Sequence, residues 1–206
     1  GNIFSSGGYS AIYGQALSGI LILESIDFPE QTSYDIGVSP LFVSGSYQKL
    51  NAEKNFSFGG GISYSNLELM KNLLNFNTDF TKAPQGFGID FNLRAKTKSG
   101  GMWKYYGSFD TNLMEVKNES LEDDFQFTKF NNKGSNTFHN LSFKQKFGKY
   151  LLNLSSSYSY NQIDLNVDYE SATNSEPAFN LKNKSNYFNF KSIVERKIGI
   201  ISAVRG

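Results

Sequence analysis

The feature that most limits how this chain can fold is an alternation of apolar and polar residues with a period of two, which recurs along most of its length. From Gly86 to Thr97, Phe87, Ile89, Phe91, Leu93 and Ala95 alternate with Gly88, Asp90, Asn92, Arg94 and Lys96. A strand built from them has one apolar and one polar face. Met102 to Val116 repeats the pattern after Lys98, Ser99, Gly100 and Gly101, setting Trp103, Tyr105, Phe109 and Leu113 against Lys104, Ser108, Asp110 and Asn112. The two segments are expected to form a hairpin. Asn55 to Ser65, Asn136 to Phe147 and Asn186 to Arg196 carry the same signature. Tyr150 to Val167 places Leu152, Leu154, Tyr158 and Tyr160 on one side, then changes phase to Ile163, Leu165 and Val167, as a bulge or an exit from the buried zone would require. Thr32 to Tyr47 is divided at Ser39 and Pro40, because Pro suits a central strand poorly. About eight strands are predicted, with Ile198 to Arg205 beginning a ninth, and no segment sustains a helical period.

Connections are short near Asn51 to Lys54, Lys98 to Gly101 and Gly148 to Lys149, and long at Leu67 to Pro84, Lys117 to Ser135 and Asp168 to Ser185. Short and long ends therefore fall on opposite sides, as in outer-membrane barrels with tight periplasmic turns and long outer loops. The 19 Phe, 12 Tyr and 19 Gly against 4 Pro agree with an all-β chain. Alternation alone does not say which face is covered, since a soluble sandwich buries its apolar face and a membrane barrel turns it to lipid. Strands of about ten residues or more suit a tilted membrane crossing. The opposing faces are rich in Asn, Ser and Gly, and Trp103, Tyr105, Tyr158 and Tyr160 suit interfacial girdles. With 20 basic against 19 acidic residues there is no broad basic surface, so nucleic acid is not an expected partner.

The first thirty residues are different in kind. Gly7-Gly8-Tyr9-Ser10-Ala11-Ile12-Tyr13-Gly14-Gln15-Ala16-Leu17-Ser18-Gly19 is followed by the apolar run Ile20 to Leu23. This segment resembles the C-terminal end of the plug of TonB-dependent receptors, with Gly8, Tyr13, Gly14, Ser18 and Gly19 carrying the match. The glycines allow backbone conformations that side chains would obstruct, and Ile20 to Leu23 can follow as a buried strand. Asp27-Phe28-Pro29-Glu30 resembles the linker between plug and barrel. Family members often have an Asn in the plug strand and end it in Thr-Lys, whereas Ile22, Ser25 and Ile26 stand here. The resemblance implies residues 1–30 as plug end and linker, and residues 31–206 as the first part of an antiparallel transmembrane β-barrel of about 22 strands. It also implies active import across the bacterial outer membrane of an iron chelate, cobalamin or an oligosaccharide. Expected partners are outer-membrane lipid, a periplasmic TonB-type energy-transducing protein and, as in some related receptors, a surface lipoprotein. Eight or nine strands cover only an arc of such a barrel, so the chain is expected to be a fragment.

Residues able to do covalent chemistry are few. His139 is the single histidine and lies in phase with Leu141 and Phe143; no Cys is present, and no Gly-x-Ser-x-Gly elbow accompanies a Ser. No enzyme, cofactor or metal site is expected, Glu122, Asp123 and Asp124 reading as solvated loop charge. The Gly-rich start lacks the Gly-Lys-Ser/Thr ending and following helix of a phosphate loop. Phe76, Phe80, Phe125, Phe127, Phe130 and Phe179 fall in the long connections, where exposed aromatics contact ligands or partners. Two rival readings stand beside the transporter: a small autonomous eight-stranded barrel serving as anchor or adhesin, and a soluble carbohydrate-binding β-sandwich.

Overall fold

The computed structural model describes residues 2–5, 20–23, 27–68, 79–119, 126–171, 174–198 and 201–205. The first two strands, β1 (Asn2–Ser5) and β2 (Ile20–Leu23), pair antiparallel as a sheet of their own. The apolar run after the Gly-rich segment is thus a strand, as its composition predicts. The remaining strands are β3 (Ser33–Val38), β4 (Phe42–Leu50), β5 (Phe56–Asn66), β6 (Asp79–Lys96), β7 (Met102–Glu119), β8 (Phe127–Phe147), β9 (Tyr150–Glu170), β10 (Ser175–Ile198) and β11 (Ile201–Arg205). They form a 9-stranded antiparallel sheet in which every strand lies beside its sequence neighbours. The division at Ser39 and Pro40 is observed, with Ser39 Oγ accepting from the amides of Leu41 and Phe42 as the chain reverses.

The three long connections are shorter than expected, because the strands run through much of them. β6 and β7 have 18 residues each, β8 and β9 have 21 and β10 has 24, against 6 for β3 and 9 for β4. Beyond Leu113 the alternation continues but its polarity reverses, so a search for apolar residues in constant phase loses the strand although the ladder persists. At Ile163 to Val167 no bulge occurs, since the pairing of β9 with β8 and β10 is continuous there and the apolar side chains simply occupy the other face. The register breaks fall at Phe80/Lys82/Gln85 and at Pro177/Phe179. Pro84 and Pro177 lie at these breaks, where a residue without an amide hydrogen interrupts the ladder least.

Among the described residues no second layer of strands covers the sheet. Among the described residues only Ala83 and Val116 are buried hydrophobics. The accessible surface is 14675 Å², where a folded monomer of 23.1 kDa exposes about 9,700 Å². A β-sandwich would pack two sheets about 10 Å apart, so the sandwich expectation is not met. Nor is the sheet a closed eight-stranded barrel, because β3 pairs only with β4 and β11 only with β10.

Hairpin turns at one end are tight and depend on backbone conformation. Gly148 opens the two-residue turn between β8 and β9 with φ of 57°, and Gly100 in the β6–β7 turn has φ of 83°. A glycine with positive φ at the first central position is what a type II′ hairpin requires. Space around Gly148 is open, so Gly148→Ala should be costly through backbone strain alone, by about 1–2 kcal/mol. Urea unfolding of the variant beside the parent protein checks this, and Lys54→Gly should shift the midpoint the other way because Lys54 is held at φ of 52°.

Candidate functional site

Side chains directly opposite each other in a ladder share a face, so the register sorts the sheet into two surfaces. One surface is apolar. Across β5 to β10 a single row contains Gly60, Phe91, Gly107, His139, Tyr158 and Phe188, and the next row towards the tight turns contains Phe58, Leu93, Tyr105, Leu141, Ser156 and Phe190. Phe188 and Phe190 are 73% and 64% exposed. Trp103 packs on Phe143 with ring centroids 4.4 Å apart, and Phe147, Tyr150 and Phe56 complete an aromatic fringe near the turns. The belt has a definite upper margin that runs obliquely to the rows. On β5 it reaches Tyr64, in register with Lys184, whereas on β10 it stops at Phe188.

His139 is held inside this belt without an obvious chemical role. Its Nδ1 lies 2.8 Å from the Tyr105 hydroxyl, and its ring stacks 6.4 Å from that of Tyr158, whose hydroxyl donates to Asn186 at 2.8 Å. A Cβ at Gly107 would meet the Tyr105 hydroxyl at 2.7 Å, so the glycine admits the Tyr105–His139 pair to the sheet surface. This geometry agrees with the phase of His139 in the sequence, which it shares with Leu141 and Phe143.

The opposite surface is polar, with Ser63, Gly88, Asp90, Asn92, Ser108, Asp110, Asn136 and Ser157 among its members. Asn136 donates to Asp110 across the β7–β8 pair at 3.1 Å. The chain preceding β3 is tied to this surface: Asp27 pairs with Lys104 at 2.8 Å. The Lys104 ammonium, with help from Lys144 on the same face, holds the Asp27 carboxyl below its ordinary range. The segment before β3 therefore approaches the polar side at Asp27.

Above the belt the polarities exchange. On the belt side, Glu115 is 5% exposed and receives Lys82 at 3.8 Å, Lys129 at 3.4 Å and the Asn131 amide at 3.3 Å. Lys129 also approaches Glu170 at 3.9 Å, and Glu170 pairs with Lys117 at 2.8 Å. These groups join four strands in one charged lattice, which holds better than isolated surface pairs of the same kind. On the other side a single row brings together Val116, Phe130, Val167 and Phe179, with Met114, Leu165 and Leu181 in the row beneath.

The expected loop aromatics are thereby redistributed. Phe80, Phe127, Phe130 and Phe179 belong to strands and not to loops. Phe130 and Phe179 share the inverted apolar row, while Phe127 is on the other face with the Lys117 ammonium 4.3 Å from its ring centroid. Phe76, Phe125, Glu122, Asp123 and Asp124 lie outside the described residues, as do Gly8, Tyr13, Gly14, Ser18 and Gly19. The apolar row was missed because its members are separated in sequence by whole strands. The register alone assembles it, although the phase change at Ile163 marked where it begins. No protein-family model matches the chain, and no match to it was found among curated proteins or solved structures.

The charged lattice has a testable pH dependence. Lys117, hydrogen-bonded to Glu170, and then Lys129 hold the Glu170 carboxyl below its ordinary value of 4.5. A carboxyl depressed in the folded state stabilises fully above its unfolded value and loses that contribution as pH falls through its folded one. Amide protection at the far ends of β8 and β9 should therefore drop between about pH 5 and pH 3, and Glu170→Gln should flatten that drop by starting from the lower level. Hydrogen exchange read at Thr128 and Tyr169, which pair across these ends, measures it.

Proposed function

We propose that this chain is part of a TonB-dependent receptor of the bacterial outer membrane, containing the plug end and the first arc of the barrel. The apolar belt would face lipid, the polar surface would line the lumen, and the strand extensions would stand beyond the outer leaflet. Energetics favour an apolar cover for the belt. Each large side chain left in water forgoes about 1.5–3 kcal/mol, and a domain's whole margin is about 5–15 kcal/mol. The stretch from Phe87 to Ala95 matches the roughly 9–11 residues of a tilted membrane strand. A slab of lipid also accounts for a margin oblique to the rows, because strands in a barrel tilt against its axis. That no helix among the described residues could cross a membrane leaves a barrel unaffected.

The observation that carries the receptor reading over a simple barrel is the Asp27–Lys104 pair, which ties the segment before β3 to the polar surface. A plug must enter its barrel from the lumen side, whereas an outer extension would have no reason to. In this reading solute first meets the inverted apolar row above the belt, and movement of the plug, driven from the periplasm, opens its path. Binding and gated passage need no covalent chemistry. The free edges of β3 and β11, and the part of β10 that β11 leaves uncovered, would be closed by further strands, since open edges are untenable in lipid.

Deletion of Gly14 to Leu23 in the intact receptor should leave the barrel assembled, read as heat-modifiable migration, while abolishing energy-dependent uptake of the solutes it supports. Undiminished uptake by a correctly assembled deletion variant would remove the plug role.

A further inference from the structure

Charge above the belt is divided unevenly between the two surfaces. Lys82, Lys117, Lys129, Lys133, Lys182 and Lys184 all stand on the belt side, by register or through the contact with Glu115. On the polar surface, no Lys or Arg among the described residues stands above the row of Arg94, Lys104 and Lys191. The ionised side chains there are carboxylates, Asp90 and Asp110 among them, and amides and hydroxyls fill most of the rest. At the foot of the inverted apolar row a cavity of about 300 Å³ opens on this surface, lined by Ser65, Leu67, Gly86, Asn112, Met114 and Asn132 among others. Glycine makes the hollow: one row runs Ser65, Gly86, Asn112, Gly134, so Asn112 stands between two positions without side chains. A Cβ at Gly134 would come within 2.7 Å of Asn112 Nδ2, so the amide lies over the bare backbone of β8. Met114 and Asn132 are opposite each other in the row above, which continues to Leu165 and Leu181. Neither the Asn112 nor the Asn132 amide has a hydrogen-bond partner among the described residues, whereas Asn136, one row below Asn112, is committed to Asp110.

We infer that this cavity binds an uncharged oligosaccharide, with Asn112 and Asn132 hydrogen-bonding its hydroxyls and Met114, Leu165 and Leu181 against the C–H face of a sugar ring. The inference rests on the receptor reading, for which it names the class of solute. A carboxamide both donates and accepts, as a hydroxyl does, so two open amides match a polyol without any counter-ion. An anionic chelate or a phosphate-bearing cofactor would instead meet Asp110 and Asp90, about 7 Å and 14 Å below Asn112 along the strands. It would find no cation on this surface of the described residues to replace its hydration, and an unpaired anion is costly to desolvate. Asp110, turned to Asn136, keeps acceptor capacity for a further hydroxyl. The cavity is small for a ligand site, so it takes one end of the solute while the remainder lies along the apolar row.

The test uses the full protein containing this chain, in detergent, with heat-modifiable migration reporting an assembled barrel. Isothermal titration follows maltohexaose, cellohexaose and xylohexaose as neutral probes and a galacturonate hexamer as the acidic one. The parent is compared with Asn112→Ala/Asn132→Ala and with Lys133→Gln, a change on the opposite face of the sheet. The expected result is that the parent binds at least one neutral hexamer, and binds the acidic hexamer at least about tenfold more weakly. Neutral binding should fall at least about tenfold in the asparagine variant and stay unchanged in Lys133→Gln. Tighter binding of the acidic hexamer than of every neutral one, equal neutral binding by the parent and the asparagine variant, or no neutral binding by an assembled parent overturns the site. Each of these results leaves the transporter reading in place as long as energy-dependent uptake still requires Gly14 to Leu23. Uptake that survives that deletion removes the transporter reading, and the titration then judges the cavity alone.

Discussion

The register of the β6–β7–β8–β9–β10 ladder is the constraint on which every other feature depends. Because side chains alternate strictly along a strand, a slip by one residue would carry Phe91, Tyr105, Leu141 and Phe190 to the polar surface and bring Asn92, Lys104, Asn140 and Asn189 into the belt. Turn geometry at Gly100 and Gly148 sets the pairing at one end. The belt then rewards only that pairing. At the far end the lattice of Lys117, Lys129, Glu115 and Glu170 adds a second check, since a one-residue slip would carry the carboxylates and the lysines that pair with them to opposite faces.

The same alternation yields different surfaces at different heights. Near the turns it produces an aromatic fringe, then an apolar belt, then a sharp exchange after which charge occupies the belt side and Phe130, Val167 and Phe179 occupy the other. One continuous ladder thus joins two environments of opposite preference. Backbone hydrogen bonding is indifferent to the change, and this lets strands such as β10 run for 24 residues.

Strand identity and turn placement were legible from residue order because both are local: a period of two and a glycine at a turn can be read within a dozen residues. The hairpin of β6 and β7, the division at Pro40 and the strand at Ile20–Leu23 follow from such signals. Strand ends were not, since Lys117, Lys129 and Asp168 read as loop when only apolar phase is followed, and the ion pairs that hold Lys117 and Lys129 come from carboxylates on other strands. The apolar row was illegible for the same reason: Val116, Phe130 and Phe179 come into one row only after three hairpins have closed.

The central claim is that the belt contacts lipid and ends where the polarity exchanges. It is tested most directly by placing a nitroxide label at each position from Met102 to Lys117 on β7 in the membrane-inserted protein and measuring contact with oxygen, which partitions into lipid, and with a water-soluble relaxing agent. The account predicts strong oxygen contact at Trp103, Tyr105, Gly107, Phe109 and Leu113, weak contact at the intervening residues, and a switch to the water-soluble agent at Glu115 and Lys117. Uniform access to the water-soluble agent along the belt face, or an alternation that continues unchanged through Lys117, would contradict it.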